Sequence, residues 1–484
     1  MPVSSCCDPG GRTCEGRLLV IPKSRFWRLA LALVALASWS CDSGSGARTT
    51  EPPTTSLASV EKQAPEWSHN ATIYEVNLRQ YSEAGTFAAF EQHLPRLKEM
   101  GIEIVWLMPI HPIGEENRKG SLGSYYSVRD YTAINPDHGD LEDLKQLVRR
   151  VHELDMYLVL DWVANHTAWD HVWAKDHPDW YTRDETGNMV PPVPDWSDVA
   201  DLNYDSHEMR AAMIDAMQYW VREADIDGYR CDAAGMVPLD FWRAARAELD
   251  ELKPVFMLAE WDEPELHEAF DMTYSWGFHH LMNSVAKGER NADDIAAFFA
   301  ADAQAYPADA FRMQFTSNHD ENSWNGTVFE RLGDGAATFA VLAATVPGMP
   351  LVYSGQEAGL DKRLAFFEKD VIEWREHPFY HLYSVLLKSN QTNEALWNGS
   401  FGGAMQRLQS TETETVLAFT SAKHGDEVLA VFNLSRAPVT TTIEGPTLAG
   451  SYMQILPNDS SGVSFGETVD MTLEPWEYRV YRKD

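Results

Sequence analysis

The stretch GYRCDAA, residues 228–234, decides the fold, because it sets opposite charges two positions apart in a run of strand length. Side chains i and i+2 of a strand point the same way, so Arg230 and Asp232 project together while Cys231 faces the opposite side. Burying charge is costly unless it is paired, and a single such pair reads as a structural ion pair. Three further segments change that reading: VLDWVANH (159–166), FMLAEWDEP (256–264) and FRMQFTSNHDEN (311–322) each begin as an apolar run and end in carboxylates, amides or histidine. Repeated strand–helix units of this kind predict a parallel sheet, and in a closed barrel the active residues gather at the carboxyl ends of the strands. Closure would bring Asp161, His166, Arg230, Asp232, Glu260, His319 and Asp320 to one pit.

Outward from these segments the chain alternates strand and helix. Strands are predicted at 71–81, 102–110, 157–163, 228–234, 255–261, 271–278, 311–318 and 349–354. Helices are predicted at 86–101, 140–156, 207–225, 239–253, near 264–270, and at 279–306, 333–346 and 378–390. Gly101 closes the first helix and Asp140 caps the second. Eight strand–helix pairs are the arithmetic of a (β/α)8 TIM barrel, of class α/β, over residues 69–392. The third strand and the next helix are separated by some forty residues, so an insertion is expected at about 164–206; a connection that long usually carries function. Past residue 393 the texture becomes short Thr/Val-rich alternating runs, which predict a C-terminal antiparallel β-sandwich over 393–484.

The amino end reads as a leader and linker. Lys23, Arg25 and Arg28 precede the apolar run 29–37, which has signal-peptide length. Ser40-Cys41-Asp42 follows, resembling a bacterial lipobox, although Ser38 and Trp39 depart from its usual pattern; lipidation at Cys41 and simple signal cleavage are both open. Residues 1–41 are thus a leader and 42–68 a Gly/Ser/Thr/Pro-rich linker. The expectation is an exported protein, periplasmic or at the cell surface, that meets a membrane only through an N-terminal lipid anchor. Four of the five cysteines lie in that leader, leaving Cys231 with no internal partner. A net charge of −34 excludes a nucleic-acid partner, which calls for basic patches.

Two carboxylates on different strands of one barrel, flanked by arginine and histidine, suit glycoside hydrolysis. The retaining reaction needs a nucleophilic carboxylate and a second carboxyl acting as acid and then base. Arg230 beside Asp232 would keep a nucleophile ionised. Glu260 lies between MLA and Trp261, an apolar setting that favours the protonated form an acid needs.

DWVANH, GYRCD, the Glu after MLA, and FTSNHD, in this order and spacing, resemble the four signature regions of the α-amylase family, glycoside hydrolase family 13. The resemblance covers residues 71 to about 484. It implies Asp232 as nucleophile, Glu260 as general acid/base and Asp320 as stabiliser of the transition state. It places Arg230, His166 and His319 around the sugar on the non-reducing side of the scissile bond, with Asp161 supporting Arg230. YYSVRDY (125–131) resembles the family's loop after the second strand, implying Tyr126 as a stacking platform for that sugar. The family often holds a structural calcium, and the resemblance places Asn165 and Asp201 at ligand positions; Ca²⁺ takes six to eight oxygens, and the remaining ligands are not legible. Trp169, Trp173, Trp180 and Trp196 of the insertion either stack on pyranose rings or form the core of a small lobe.

The chain departs from the family in one respect: the lysine-histidine pair that typical α-amylases carry shortly after the nucleophile is missing, and AAGMVP follows Asp232. The expected activity is hydrolysis of α-glucosidic bonds, mainly α-1,4, in maltodextrins and starch-type α-glucans through a covalent glycosyl-enzyme. The alternatives are a transglycosylase or isomerase of the same family, sharing that intermediate, and a non-catalytic glycan-binding lipoprotein. Non-catalytic members usually lose one of the three carboxylates, and all three are present.

Overall fold

The computed structural model describes residues 64–457 and 461–483, all within one compact unit, 61–484. The leader, its lipidation position Cys41 and the linker as far as residue 63 lie outside the described residues. Residues 66–68, expected as linker, instead form a turn of 3-10 helix. Ser68 is buried, and the Trp67 ring stacks on Tyr157 at 3.9 Å, so apolar contact at the mouth of the amino-terminal side draws this turn onto the barrel.

Eight parallel strands close into a barrel. They are β1 (Ile73–Val76), β2 (Ile104–Leu107), β3 (Tyr157–Trp162), β4 (Gly228–Cys231), β5 (Phe256–Ala259), β6 (Met272–Tyr274), β7 (Phe311–Gln314) and β8 (Met349–Tyr353), with β8 pairing to β1. Alternate residues point inward. Ile73, Ile104, Val159, Phe256, Leu258, Met272, Met313 and Leu351 pack the barrel interior. The outward set, including Val105, Leu107, Leu160, Trp162, Tyr229 and Met257, packs on the surrounding helices. Cys231 is in this outer layer, free and buried.

The strands are shorter than the apolar runs that encode them. The first run, 71–81, breaks at Asn77, and its second half winds into a helical turn, Leu78–Tyr81. The sixth run stops at Tyr274 because helix Trp276–Lys287 begins at once, and the long helix expected at 279–306 is two helices parted at Gly288, whose φ is +79°. Helix 86–101 is likewise split, into Phe87–Glu91 and Leu94–Met100. Apolar periodicity continues across such breaks because both halves face the same core, so it cannot show them.

The insertion holds a two-stranded antiparallel sheet, His166–Ala168 with Val199–Asp201, and short helical turns between. At the carboxyl end, a six-stranded and a three-stranded antiparallel sheet form the β-domain. Leu417, Phe419, Val428, Phe432, Trp476 and Val480 of that domain belong to the same hydrophobic core as the barrel helices. Among the described residues no helix is long and apolar enough to cross a membrane.

Candidate active site

The carboxyl ends of the strands bring the expected charges together. Asp161 on β3 and Arg230 on β4 are direct neighbours in the parallel register. Both are buried, and Arg230 Nη1 donates to Asp161 Oδ1 at 2.8 Å and to Asp232 Oδ1 at 3.0 Å. Arg230 Nη2 lies 2.9 Å from Glu260 Oε1, an ion-pair contact not aligned as a hydrogen bond. Arg230 Nε donates to the Tyr274 hydroxyl at 3.2 Å. One guanidinium therefore bridges three carboxylates, with the rings of Trp106, Tyr126 and Tyr274 around it. Arginine suits this place because its donors form a planar fork and it stays charged when desolvated.

Asp161 is held from its other side. Its Oδ2 accepts the Trp106 indole N–H and the Tyr126 hydroxyl, each at 3.1 Å. The Tyr126 oxygen also lies 2.8 Å from His319 Nε2, and His319 Nδ1 lies 2.5 Å from Glu75 Oε1. With its own proton given to Asp161, Tyr126 accepts from Nε2, while Glu75 accepts from Nδ1, so both ring nitrogens of His319 carry protons. Burial opposes that charge, but the Asp320 and Glu75 carboxylates outweigh it and raise the His319 pKa to about 9. The Tyr126 ring lies stacked beside His319, centroids 5.4 Å apart, with Phe366 stacked at 6.3 Å on it.

Burial and like charge separate the acids. Glu260 is pushed up to about 7, by desolvation first and then by Asp232 and Asp320, against the pull of Arg230. Asp232 is raised less, to about 6, again by burial against Arg230. Glu260 thus holds its proton in a range where Asp232 is losing its own, the pairing an acid and a nucleophile require. The Glu260 carboxylate is aimed by the Ala233 N–H, which donates to Oε2 at 2.8 Å. Ala233 adopts a left-handed φ of +44° to present that N–H; such conformations cost a non-glycine residue about 1–2 kcal/mol and cluster at functional sites. Asp320, on the turn after β7, is more open than its partners and accepts the Trp324 indole N–H at 3.2 Å.

His166 is buried at the start of the insertion sheet and is neutral, burial lowering its pKa to about 4. Its ring meets Trp196 edge-on at 5.5 Å. Of the four insertion tryptophans, Trp180 is buried against His177 and Trp173, and Trp169 donates to the Ser197 carbonyl. Trp196 is the exposed one. Asn165 Nδ2 lies 3.2 Å from His166 Nδ1, and Asp201 pairs with His166 across the small sheet. Among the described residues no group of three or more His, Cys, Asp or Glu is arranged to hold a metal.

Glu75, Trp106, Tyr274 and Trp324 are site residues that the motifs do not contain. Glu75 carried a signal, since it falls on the inward face of IYEV, where a carboxylate demands a partner. The two aromatic residues on β2 and β6 read as ordinary core. A cavity of about 870 Å³ lies elsewhere, between helix Trp276–Lys287, Arg331 and the β-domain residues Arg436 and Trp476; it does not contain the three carboxylates.

Comparison with known proteins points to one family. The model of the α-amylase catalytic domain matches residues 66–191 and 193–395. A noncanonic maltogenic α-amylase from Thermotoga neapolitana superposes with a TM-score of 0.78 at 34% identity, covering 86% of this chain and 98% of its own. An α-amylase from Lactobacillus plantarum gives 0.77 at 32%, covering 86% and 100%. Among curated sequences, α-amylase MalA of Haloarcula japonica is 24% identical over 425 residues, which span 84% of this chain and 61% of that protein.

Proposed function

Because the chain belongs to the α-amylase family, we propose that it is a retaining glycosidase that hydrolyses α-glucosidic bonds, mainly α-1,4, in maltodextrins and starch-type glucans. The observation that carries this reading is the single guanidinium of Arg230 touching both Asp232 and Glu260, with Asp320, on the turn after β7, near enough for its charge to act on both. Retention needs two carboxyl groups close enough to flank one glycosidic bond, about 5–5.5 Å apart.

Glu260, protonated, gives its proton to the leaving oxygen while Asp232 attacks the anomeric carbon. The glycosyl–Asp232 ester forms as the glycosidic C–O bond breaks. Glu260, now ionised, takes a proton from water, and the hydroxide displaces Asp232. Asp320 accepts from the hydroxyls of the reacting ring, the charged His319 holds Tyr126 in place from beside it, and Tyr126 offers that ring an aromatic face. The Arg230 guanidinium offsets part of the burial of Asp232 and the repulsion from Asp161 and Asp320, so that Asp232 ionises from about 6 upward.

Replacement Asp232→Asn tests the assignment. Turnover of maltoheptaose should fall by at least about 10³-fold, while oligosaccharide binding, followed by tryptophan fluorescence, persists. Undiminished turnover would remove Asp232 from the nucleophile's place. A transferase shares the intermediate, so reducing ends must be counted: chain lengths that redistribute with no net gain of reducing ends would replace hydrolysis with glycosyl transfer.

A further inference from the structure

Around the mouth of the barrel, the loops after β7, β8, β1 and β2 are stitched to one another. Asn322, in the π-helical turn Glu321–Asn325 after β7, donates to the Lys362 carbonyl at 3.1 Å and accepts the Leu364 N–H at 2.9 Å, both in the loop after β8. Gln80, after β1, donates to Ala365 O at 3.0 Å and accepts Ile372 N–H at 2.9 Å. Across to the loop after β2, Leu122 N–H donates to Phe367 O at 3.1 Å and Ser121 N–H to Glu368 Oε1 at 2.9 Å. A Cβ on Gly120 would stand 2.4 Å from Phe367 Cβ, so the two loops touch without a gap.

Three aromatic side chains line this stitched arc. Trp324 is 49% exposed, a large fraction for so apolar a ring. It packs on Phe366 at 5.2 Å and Phe367 at 5.9 Å, and its N–H holds Asp320. Phe366 continues onto Tyr126 and His319. The direction of the substrate follows from the acid. Glu260, directly after β5, must face the leaving group, so the remainder of the chain on the non-reducing side runs away from β5, toward the arc that β8, β1 and β2 occupy across an eight-stranded barrel.

We propose that Trp324, Phe366 and Phe367 form a wall that closes the non-reducing side of the cleft, so that the enzyme cuts α-glucan chains near their non-reducing ends rather than within them. This rests on the glycosidase reading above and narrows its substrate to chains presenting a free non-reducing terminus. A wall stitched by backbone and side-chain hydrogen bonds among four loops resists displacement, because opening it would leave several N–H and C=O groups unpaired at once.

The test compares two 4-nitrophenyl maltoheptaosides, one free and one carrying a 4,6-O-ethylidene block at its non-reducing end, with no coupling enzyme added and the 4-nitrophenyl-bearing fragments separated and quantified by liquid chromatography. The free substrate should show a kcat/KM at least about tenfold higher than the blocked one. Phe367→Ala should narrow that ratio by opening the wall, and Trp324→Phe, which keeps the ring but removes the N–H, should keep the ratio while lowering kcat. Equal cleavage of the two substrates by the native enzyme overturns the closed side and leaves the glycosidase reading intact. A ratio unchanged in Phe367→Ala, confirmed folded by its melting temperature, takes the selectivity away from this wall. Cleavage of neither substrate would instead remove the glycosidase reading, and this one with it.

Discussion

Arg230 shows how one residue's desolvation is answered and then used. A guanidinium at 0% exposure is tolerable only because Asp161, Asp232 and Glu260 surround it, and the same contacts align the two carboxyls that would react. The raised acids carry consequences for pH. Activity needs Asp232 ionised and Glu260 protonated, so kcat/KM on maltoheptaose should rise through about 6 and fall through about 7, a narrow bell. The same shift is a stability statement. Glu260 binds its proton more tightly folded than unfolded, so the stabilisation it contributes is full below its ordinary range near 4.5 and is lost as pH rises through about 7. Above that pH the buried carboxylate is a net cost. Glu260→Gln should therefore be inactive yet more stable at pH 8, by about 1–3 kcal/mol, visible as a melting temperature a few degrees higher at pH 8 and little changed at pH 4.5.

At the scale of elements, two consecutive loops hold the acid in place. The loop after β4 donates the Ala233 N–H to Glu260, and two residues on, Gly235 lies against the Trp261 ring, where an added Cβ would meet ring atoms at 2.1 Å. The close approach is what lets the loop after β4 lie on the loop after β5. Gly235→Ala should push Trp261 aside and carry Glu260 with it, because the two residues are adjacent in the chain. The expected result is a kcat reduced by about 10²-fold, the scale of a 1 Å misplacement, with KM far less affected and the melting temperature lowered by only a few degrees. A loss confined to stability, with kcat unchanged, would show that Trp261 moves independently of the acid.

On the scale of the molecule, barrel and β-domain share one core. Trp476 of the β-domain is buried against Phe339 of helix Ala336–Thr345, and its carbonyl accepts the Thr338 hydroxyl. Cutting the chain after residue 392 would expose Leu417, Phe419 and Phe432's partners on the barrel helices to water, at about 25 cal/mol for each Å² of apolar surface. The truncated chain should be insoluble or unfolded. The full chain should melt in a single transition, with far-ultraviolet circular dichroism and tryptophan fluorescence changing together; separate transitions would mean that the β-domain folds on its own.

The sequence by itself determined the fold class, the order of the eight units, the place of the insertion and the positions of Asp161, Arg230, Asp232, Glu260, His319 and Asp320. It could do so because each motif sits at the end of an apolar run, and the alternation of runs is a local property that survives errors in strand length. Only the tertiary structure decided where the strands stop, since a run such as 71–81 stays apolar while it changes from strand to helix. The same holds for the roles of Trp106 and Tyr274, ordinary core positions until barrel closure sets them against Asp161 and Arg230, and for the partner of Glu75, which only closure supplies in His319. It holds too for the wall of Trp324, Phe366 and Phe367, whose rings lie some forty residues apart in the chain. Contacts between loops of different strands leave no periodic mark, because they depend on closure of the barrel and not on neighbours in the polymer.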